Sequence, residues 1–327
     1  MLLVVLAAGT AAASSGGAAR GTLPPRVAFV IDPVALAGSP SAFTVALDGF
    51  RSARRRLAIR GDIVYVAPNE DAGTALRNAA RRGYALVVSA LPEPETVERV
   101  ARAFPRVRFL MLDVPVEALD RPEANVTGTV FRAEEAGYLA GYLAASMADR
   151  EPAPHVVSAV GGTAFPPVTR WIVGYRAGAR HADPHISVRV AYSGDYVDEA
   201  KCARIARLQV AAGSRVVYDV AGACGVGALT AARAAGAFAI GVDVDQSYLG
   251  PQVLTSTLLR LDAGVVGSLE RFVHGALPSG RDQVFDLAGG GVALAPLSAR
   301  VPPVVARRVA AVRRALIAGR IRVPHVI

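Results

Sequence analysis

Short apolar runs alternate with amphipathic segments over almost the whole chain. That alternation constrains the fold more than any other feature. Residues 27–31, 62–66, 85–89, 107–112 and 125–131 read as strands, and 43–57, 71–82 and 93–104 carry the apolar spacing of helices between them. Strands separated by helices imply a parallel sheet covered on both faces. The series then begins again. A helix at 134–148 leads to strands at 155–160, 187–192, 215–220 and 238–242, with helices at 167–179, 198–212 and 228–235 between them. Two consecutive series of similar size predict an α/β protein with two similar lobes, although no close repeat in sequence is evident. Segments at 252–257, 262–275 and 283–295 follow, the last containing Gly289-Gly-Gly291. An amphipathic helix at 304–317 closes the chain, with Arg307, Arg308, Arg313 and Arg314 on its wet face.

Composition narrows the partners. With 52% hydrophobic and 19% charged residues, the 327-residue chain is globular and long enough for two well-filled cores. The formal net charge of +9 would suit nucleic acid or an anionic membrane surface. However, Lys201 is the only lysine, and the chain is rich in Ala, Gly, Val and Pro. Compositional bias therefore accounts for the charge, and no nucleic-acid partner is expected. Residues 2–8 form a short apolar run followed by small residues. It is too short to span a bilayer, and Ala11-Ala-Ala13 suits a cleavage site. Residues 1–25 are read as a signal or anchor plus spacer, which makes the remainder extracytoplasmic, secreted or tethered through its N-terminus or a partner.

Polar residues at strand ends carry the functional signal. The run 238–242 stops abruptly at Asp243, Asp245 and Gln246. In open α/β sheets ligands bind beyond the carboxyl ends of the strands, where a carboxylate can accept two hydrogen bonds from a vicinal diol. Asp32 and Asp113 end apolar strands in the same way. The alternative for each is a helix N-cap. Gly225-Val-Gly227 lies between a strand and a helix, like part of a dinucleotide fingerprint, but Thr230 occupies the third glycine position. Such glycines would equally let backbone N–H groups approach any ligand. Trp171 and Tyr196 could stack on a ring, while Arg54, Arg55 and Arg56 read as an exposed helix face. His181 and His185 are interrupted by Pro184, so no metal site is expected. Cys202 and Cys224 fall at a helix start and just past the next strand, positions that share one edge of a sheet. A disulfide is plausible there; two separate buried thiols are the alternative.

Several motifs together resemble the basic membrane protein family of ABC-transporter substrate-binding proteins, which includes purine-nucleoside receptors. They are Phe131-Arg-Ala-Glu-Glu-Ala-Gly-Tyr-Leu-Ala-Gly141, Gly161-Gly162, Gly174-Tyr-Arg-Ala-Gly178, Tyr192-Ser-Gly-Asp-Tyr-Val-Asp198, Ala221-Gly-Ala-Cys-Gly-Val-Gly227, Ile240-Gly-Val-Asp-Val-Asp-Gln246 and Leu254-Thr-Ser256. The resemblance implies a type I periplasmic-binding-protein fold: two Rossmann-like lobes joined by hinge crossovers, with a ligand cleft between them. It implies that Asp243 holds ribose hydroxyls, that Asp113 faces a base, that Gly225 and Gly227 bring backbone near the ligand, and that Tyr196 is a second-lobe aromatic. It departs from the family at 39–43, where Phe43 stands in place of a base-recognising asparagine and Ala42 in place of a phenylalanine. It departs again at Leu259, in place of a lysine, with Arg260 beside it.

The resulting expectation is a non-enzymatic receptor that closes two lobes around a small polar, nucleoside-like ligand and delivers it to an ABC permease, with no cofactor. Candidate ligand residues are Asp32, Phe43, Asp113, Tyr196, Gly225, Gly227 and Asp243. The expected lobes are 26–131 plus 252–300 and 132–251, with 301–327 as a C-terminal helix and tail and hinges near 125–133 and 246–256. The alternatives are a ligand-sensing domain of a larger membrane-anchored regulator, a lobe pair that no longer binds nucleosides, and a nicotinamide-cofactor enzyme.

Overall fold

The computed structural model describes residues 23–36, 41–90, 93–149 and 155–324. The apolar N-terminal run with its cleavage site, Ser39 and Pro40 of the first-lobe motif, and His325 lie outside the described residues.

The first lobe opens with β1 (Arg26–Ile31), α1 (Ala42–Arg56), β2 (Arg60–Tyr65), α2 (Ala72–Arg81), β3 (Leu86–Ser89), α3 (Pro94–Ala103), β4 (Arg108–Met111) and β5 (Val126–Phe131). The second contains α4 (Ala133–Ala148), β6 (Val156–Gly161), α5 (Pro166–Ala182), β7 (Ser187–Tyr192), α6 (Glu199–Ala211), β8 (Ser214–Val220), α7 (Ala223–Ala234), β9 (Phe238–Gly241) and β10 (Val253–Leu259). The remaining elements are α8 (Leu261–Val273), β11 (Arg281–Phe285), β12 (Val292–Leu294) and α9 (Pro303–Ile317).

Helix starts follow local chemistry. Ser41 and Thr44 form a reciprocal capping box at α1, and Asp71 and Asp198 accept backbone N–H groups at the starts of α2 and α6. These side chains satisfy donors that a helix start leaves without partners.

The two sheets run β11-β5-β4-β3-β1-β2 and β12-β10-β9-β8-β6-β7. β6 takes the place of β1, β7 of β2, β8 of β3, β9 of β4 and β10 of β5. The sixth strands differ: β11 joins β5 parallel, whereas β12 joins β10 antiparallel.

Three boundaries differ from the sequence reading. β10 completes the second sheet, so the chain crosses back at 259–261 rather than near 246–256, and 252–259 belongs with the second lobe. The segment 283–295 splits. β11 extends the first sheet, the Asp286–Gly291 turn reverses the chain, and β12 returns to the second sheet; there are thus three crossings. The helix expected at 228–235 begins at Ala223, because Gly222 makes the turn (φ 58°) and Gly225 and Gly227 are already helical. The C-terminal helix α9 is not separate: it packs on α4.

In the second lobe α4 and α5 touch backbone to backbone. A Cβ at Gly137 or Gly141 would strike the carbonyls of Trp171 and Tyr175, and one at Gly174 or Gly178 would strike those of Glu134 and Tyr138. The two G-x-x-x-G stretches therefore serve helix packing. Trp171, 4% exposed, is core and not a stacking platform.

Candidate functional site

The strand pairing places Asp113 and Asp243 at equivalent points of the two lobes. Met111 pairs with Gly128 on β5, and Gly241 pairs with Ser256 on β10; each aspartate follows two residues after its strand ends. Both lie in the left-handed backbone region, at φ 56° and 65°. Among the described residues only Asn69 shares that conformation outside glycine. It costs energy for a residue with a Cβ and is found where the surrounding structure over-determines it, often at ligand sites.

Neighbouring strands hold each turn. The Asp113 N–H donates to Thr129 Oγ1 (2.8 Å), and the Thr129 hydroxyl donates to the Met111 carbonyl (3.0 Å). In the second lobe the equivalent Thr257 donates to the Gly241 carbonyl (3.3 Å), and its hydroxyl also meets Tyr218 (2.8 Å). Gln246 Oε1 accepts the Val242 N–H (2.8 Å), while its own N–H donates to Ser256 Oγ (3.0 Å). Gln246 thus shapes the turn that presents Asp243. Asp245 is exposed and accepts the Ser247 N–H (2.9 Å), a turn role.

Asp243 of the second lobe lies near enough to Asp113 of the first for its charge to act on it. Burial pushes the Asp113 carboxyl up to about 7; Asp243's charge adds to that rise, while the Arg170 guanidinium on α5 opposes it. Burial alone raises Asp243 to about 6. Some solvent still reaches both side chains. Arg170 is only 3% exposed and also acts on Asp282 of β11. It therefore brings positive charge from the second lobe to carboxylates of the first.

Sequence reasoning missed a third carboxylate. Asp219, near the end of β8, is fully buried; it accepts the Ala221 N–H at Oδ1 (2.8 Å), while Oδ2 has no protein partner. Burial raises it to about 8. The signal was a lone acid inside the apolar strand 215–220. The space beside Gly225, expected to admit ligand backbone contacts, is filled by this carboxylate, and the space beside Gly227 by the Glu199 carbonyl. The glycines serve internal packing of α7.

The second-lobe rim is aromatic. Tyr196, 37% exposed, lies over Gly162 with its hydroxyl against Thr163 Oγ1 (2.6 Å) and N–H (3.2 Å). Phe165, which the sequence reading did not single out, meets it edge-on with ring centroids 6.3 Å apart. The Tyr196 loop is fastened twice. Its carbonyl accepts the Cys224 N–H (3.0 Å), and Asp195 takes the Val197 and Asp198 N–H groups and an ion pair with Lys201 (2.6 Å). Lys201 and these bonds hold the Asp195 carboxyl far below its ordinary value. Cys202 and Cys224 form a disulfide, with Cα atoms 5.6 Å apart, joining the starts of α6 and α7.

The first-lobe candidates are less engaged. Asp32 is exposed at the end of β1. Phe43, in the first turn of α1, is half-buried against the core. Leu259 is buried, its N–H bound to the Asp243 carbonyl (3.0 Å), and Arg260 pairs with Asp262 (2.8 Å). No cluster of three or more His, Cys, Asp or Glu suited to a metal ion occurs among the described residues.

Comparison with known proteins agrees with this layout. The family model for PnrA-like ABC transporter substrate-binding proteins, Bmp, matches residues 27–324. An ABC transporter nucleoside-binding protein, BmpA, from Lactococcus lactis is 29% identical over 243 residues, 68% of this chain and 67% of that protein. Basic membrane protein A of Borreliella burgdorferi is 32% identical over 156 residues, 47% of this chain and 44% of that protein. The chain thus spans about half the length of several curated relatives it matches. Solved structures of solute-binding proteins of ABC transporter systems superpose well. The one from Aeropyrum pernix has a TM-score of 0.77 at 24% identity, covering 92% of this chain and 94% of that one. The one from Conexibacter woesei has a TM-score of 0.69 at 26% identity, covering 92% and 99%.

Proposed function

Because this chain belongs to the Bmp family of PnrA-like ABC transporter substrate-binding proteins, we propose that it binds a small nucleoside-like ligand between its lobes outside the cytoplasm and presents it to an ABC permease. It acts as a receptor and not as an enzyme. The observation that carries this reading is the pair Asp113 and Asp243, one from each lobe, both held in a strained left-handed turn beyond the carboxyl end of a parallel strand.

In this reading Asp243 accepts hydrogen bonds from a vicinal diol, and Asp113 meets the ring that the diol carries. Tyr196 and Phe165 line the second-lobe side, with Phe43 and Asp32 at the first-lobe edge. Charge-assisted hydrogen bonds that form only when both lobes engage the ligand favour the closed population. Asp243 must be ionised to accept two hydrogen bonds, so affinity should rise with pH through about 6.

A thermal-shift screen of the purified protein against nucleosides, free bases and sugars tests the reading. A native-state binder raises the unfolding midpoint. Nucleosides should shift it while free bases shift it less. A midpoint indifferent to all three classes removes the nucleoside assignment.

A further inference from the structure

The first sheet has a second charged end, opposite the strand-end aspartates. Arg26 begins β1 and Arg60 begins β2, paired side by side, and α1 ends beside them with Arg54, Arg55 and Arg56. A hollow of about 500 Å³ opens between Arg26, Arg54, Arg60 and Asp62. A second hollow of about 300 Å³, lined by Arg51, Arg54 and Arg55, shares Arg54 with it.

The acids there are already engaged. Asp62 accepts the Tyr84 hydroxyl (2.7 Å) and lies 3.6 Å from Arg26, and Asp48 pairs with Arg51 (3.0 Å). Arg54, Arg55 and Arg60 have no carboxylate within ion-pair distance among the described residues. Asp62 is the one acid lining the first hollow, and Arg54, Arg55 and Arg60 add positive charge to the two hollows in excess of it.

The N-terminal segment leaves the lobe at the same place. The Pro25 carbonyl accepts the Arg60 N–H (2.9 Å), and Leu23 is exposed. Upstream lies the apolar run 2–8. The intervening residues reach about 50 Å when extended. A bilayer that receives the run is thus within reach of the arginines.

We propose that this arginine pole docks on an anionic phospholipid surface, with headgroup phosphates seated in the two hollows. A guanidinium presents a planar fork that matches phosphate oxygens two at a time. Basic groups next to a membrane anchor add binding to anionic lipid that salt weakens. The ligand-facing strand ends lie at the other edge of the sheet, so docking leaves them open. The proposal rests on the run 2–8 entering or approaching a membrane and is independent of which ligand fills the cleft.

The test is co-sedimentation of the full chain with vesicles of phosphatidylcholine alone or mixed equally with phosphatidylglycerol. The anionic lipid should strengthen binding, and raising the salt should remove the increment. In R54Q/R55Q/R60Q the increment should fall roughly a hundred-fold, about five-fold per charge. In R307Q/R308Q/R313Q, which removes three of the four arginines on the wet face of α9, it should remain. The single variant R60Q, about five-fold weaker, serves should the triple variant unfold. Equal binding to both vesicle types overturns the proposal, as does equal loss in both triple variants. Displacement from vesicles by millimolar inorganic phosphate, with a thermal shift from phosphate alone, would show a small-anion site in place of lipid docking and overturn it too.

Discussion

The two lobes repeat one order for their first five strands, and their equivalent positions agree at some points and differ at others. Asp113 matches Asp243, and Thr129 matches Thr257. Val30 pairs with Ser89 in the first sheet where Val160 pairs with Asp219 in the second, so a buried hydroxyl in one lobe is a buried carboxylate in the other. The supporting helices differ as well. The second lobe joins α4 to α5 through four glycines in backbone contact and fastens α6 to α7 with a disulfide. The equivalent first-lobe pair, α1 and α8, makes such a glycine contact at Gly49 against the Asp262 backbone, and no cysteine lies in that lobe. The second lobe is thus braced around its aspartate, while the first presents its own on a less constrained frame. Bracing one jaw ahead of binding lowers the entropy lost when ligand arrives.

The bracing should break first at one of its two closest contacts. Gly141→Ala forces a methyl group into the Tyr175 carbonyl, and the rigid backbone on both sides cannot yield cheaply. We expect a loss of about 3 kcal/mol in urea denaturation. A loss no larger than that of an exposed helix Gly→Ala change would show that the two helices are not locked.

The buried mismatch between Ser89 and Asp219 comes next. Asp219 holds its proton up to about pH 8 when folded, whereas an unfolded aspartate releases it near the ordinary value of 3.8. Between those values the folded state binds the extra proton, so stability falls as pH rises from about 4 to 8. Asp113 and Asp243 contribute in the same direction up to about 7 and 6. Asp219→Ser, which copies the first lobe, should remove the largest part of that slope. Relative to the parent protein, the variant should become steadily more stable between pH 4 and pH 8. Parallel pH profiles for the two proteins would rule out burial of an uncompensated acid.

Much of this architecture was legible in the sequence, for physical reasons that also explain the gaps. Alternating apolar runs specify parallel strands, so the two series and their order could be read directly. Asp113 and Asp243 stood out because each interrupts an apolar strand at its end, and Cys202 and Cys224 because both fall on one sheet edge. The sheet that β10 joins could not be read, since Val253–Leu259 is equally apolar wherever it pairs. The start of α7 was hidden because its glycines resemble a loop, and their use became visible only once Asp219 and Glu199 were seen filling the space beside them. Arg170 carries no local signal: its importance comes from Asp113, a residue of the other lobe.

The matched aspartates allow a direct test of division of labour. Asn tolerates the left-handed backbone and keeps the shape of Asp, so Asp243→Asn and Asp113→Asn should fold normally. Loss of charge-assisted hydrogen bonds should weaken binding by about 2 kcal/mol at Asp243, and by less at Asp113, whose raised pKa leaves it partly protonated at neutral pH. Calorimetric titration with the nucleoside found by the screen would measure both. Equal losses would mean that the lobes share the ligand evenly and would remove the assignment of the diol to Asp243.

The smallest effect should come from the rim. Tyr196 keeps its ring in place through its hydroxyl contacts with Thr163 and its loop through Cys224, Asp195 and Lys201. Tyr196→Phe deletes the hydroxyl and leaves the loop bonds intact. Because the contact is solvent-accessible, the stability change should stay below about 1 kcal/mol. If the ring stacks on ligand, affinity should be nearly unchanged in Tyr196→Phe and clearly reduced in Tyr196→Ala. If instead the two variants bind alike, the ring only covers Gly162. The aromatic contribution of the second lobe would then pass to Phe165, which Phe165→Ala would reveal in the same titration.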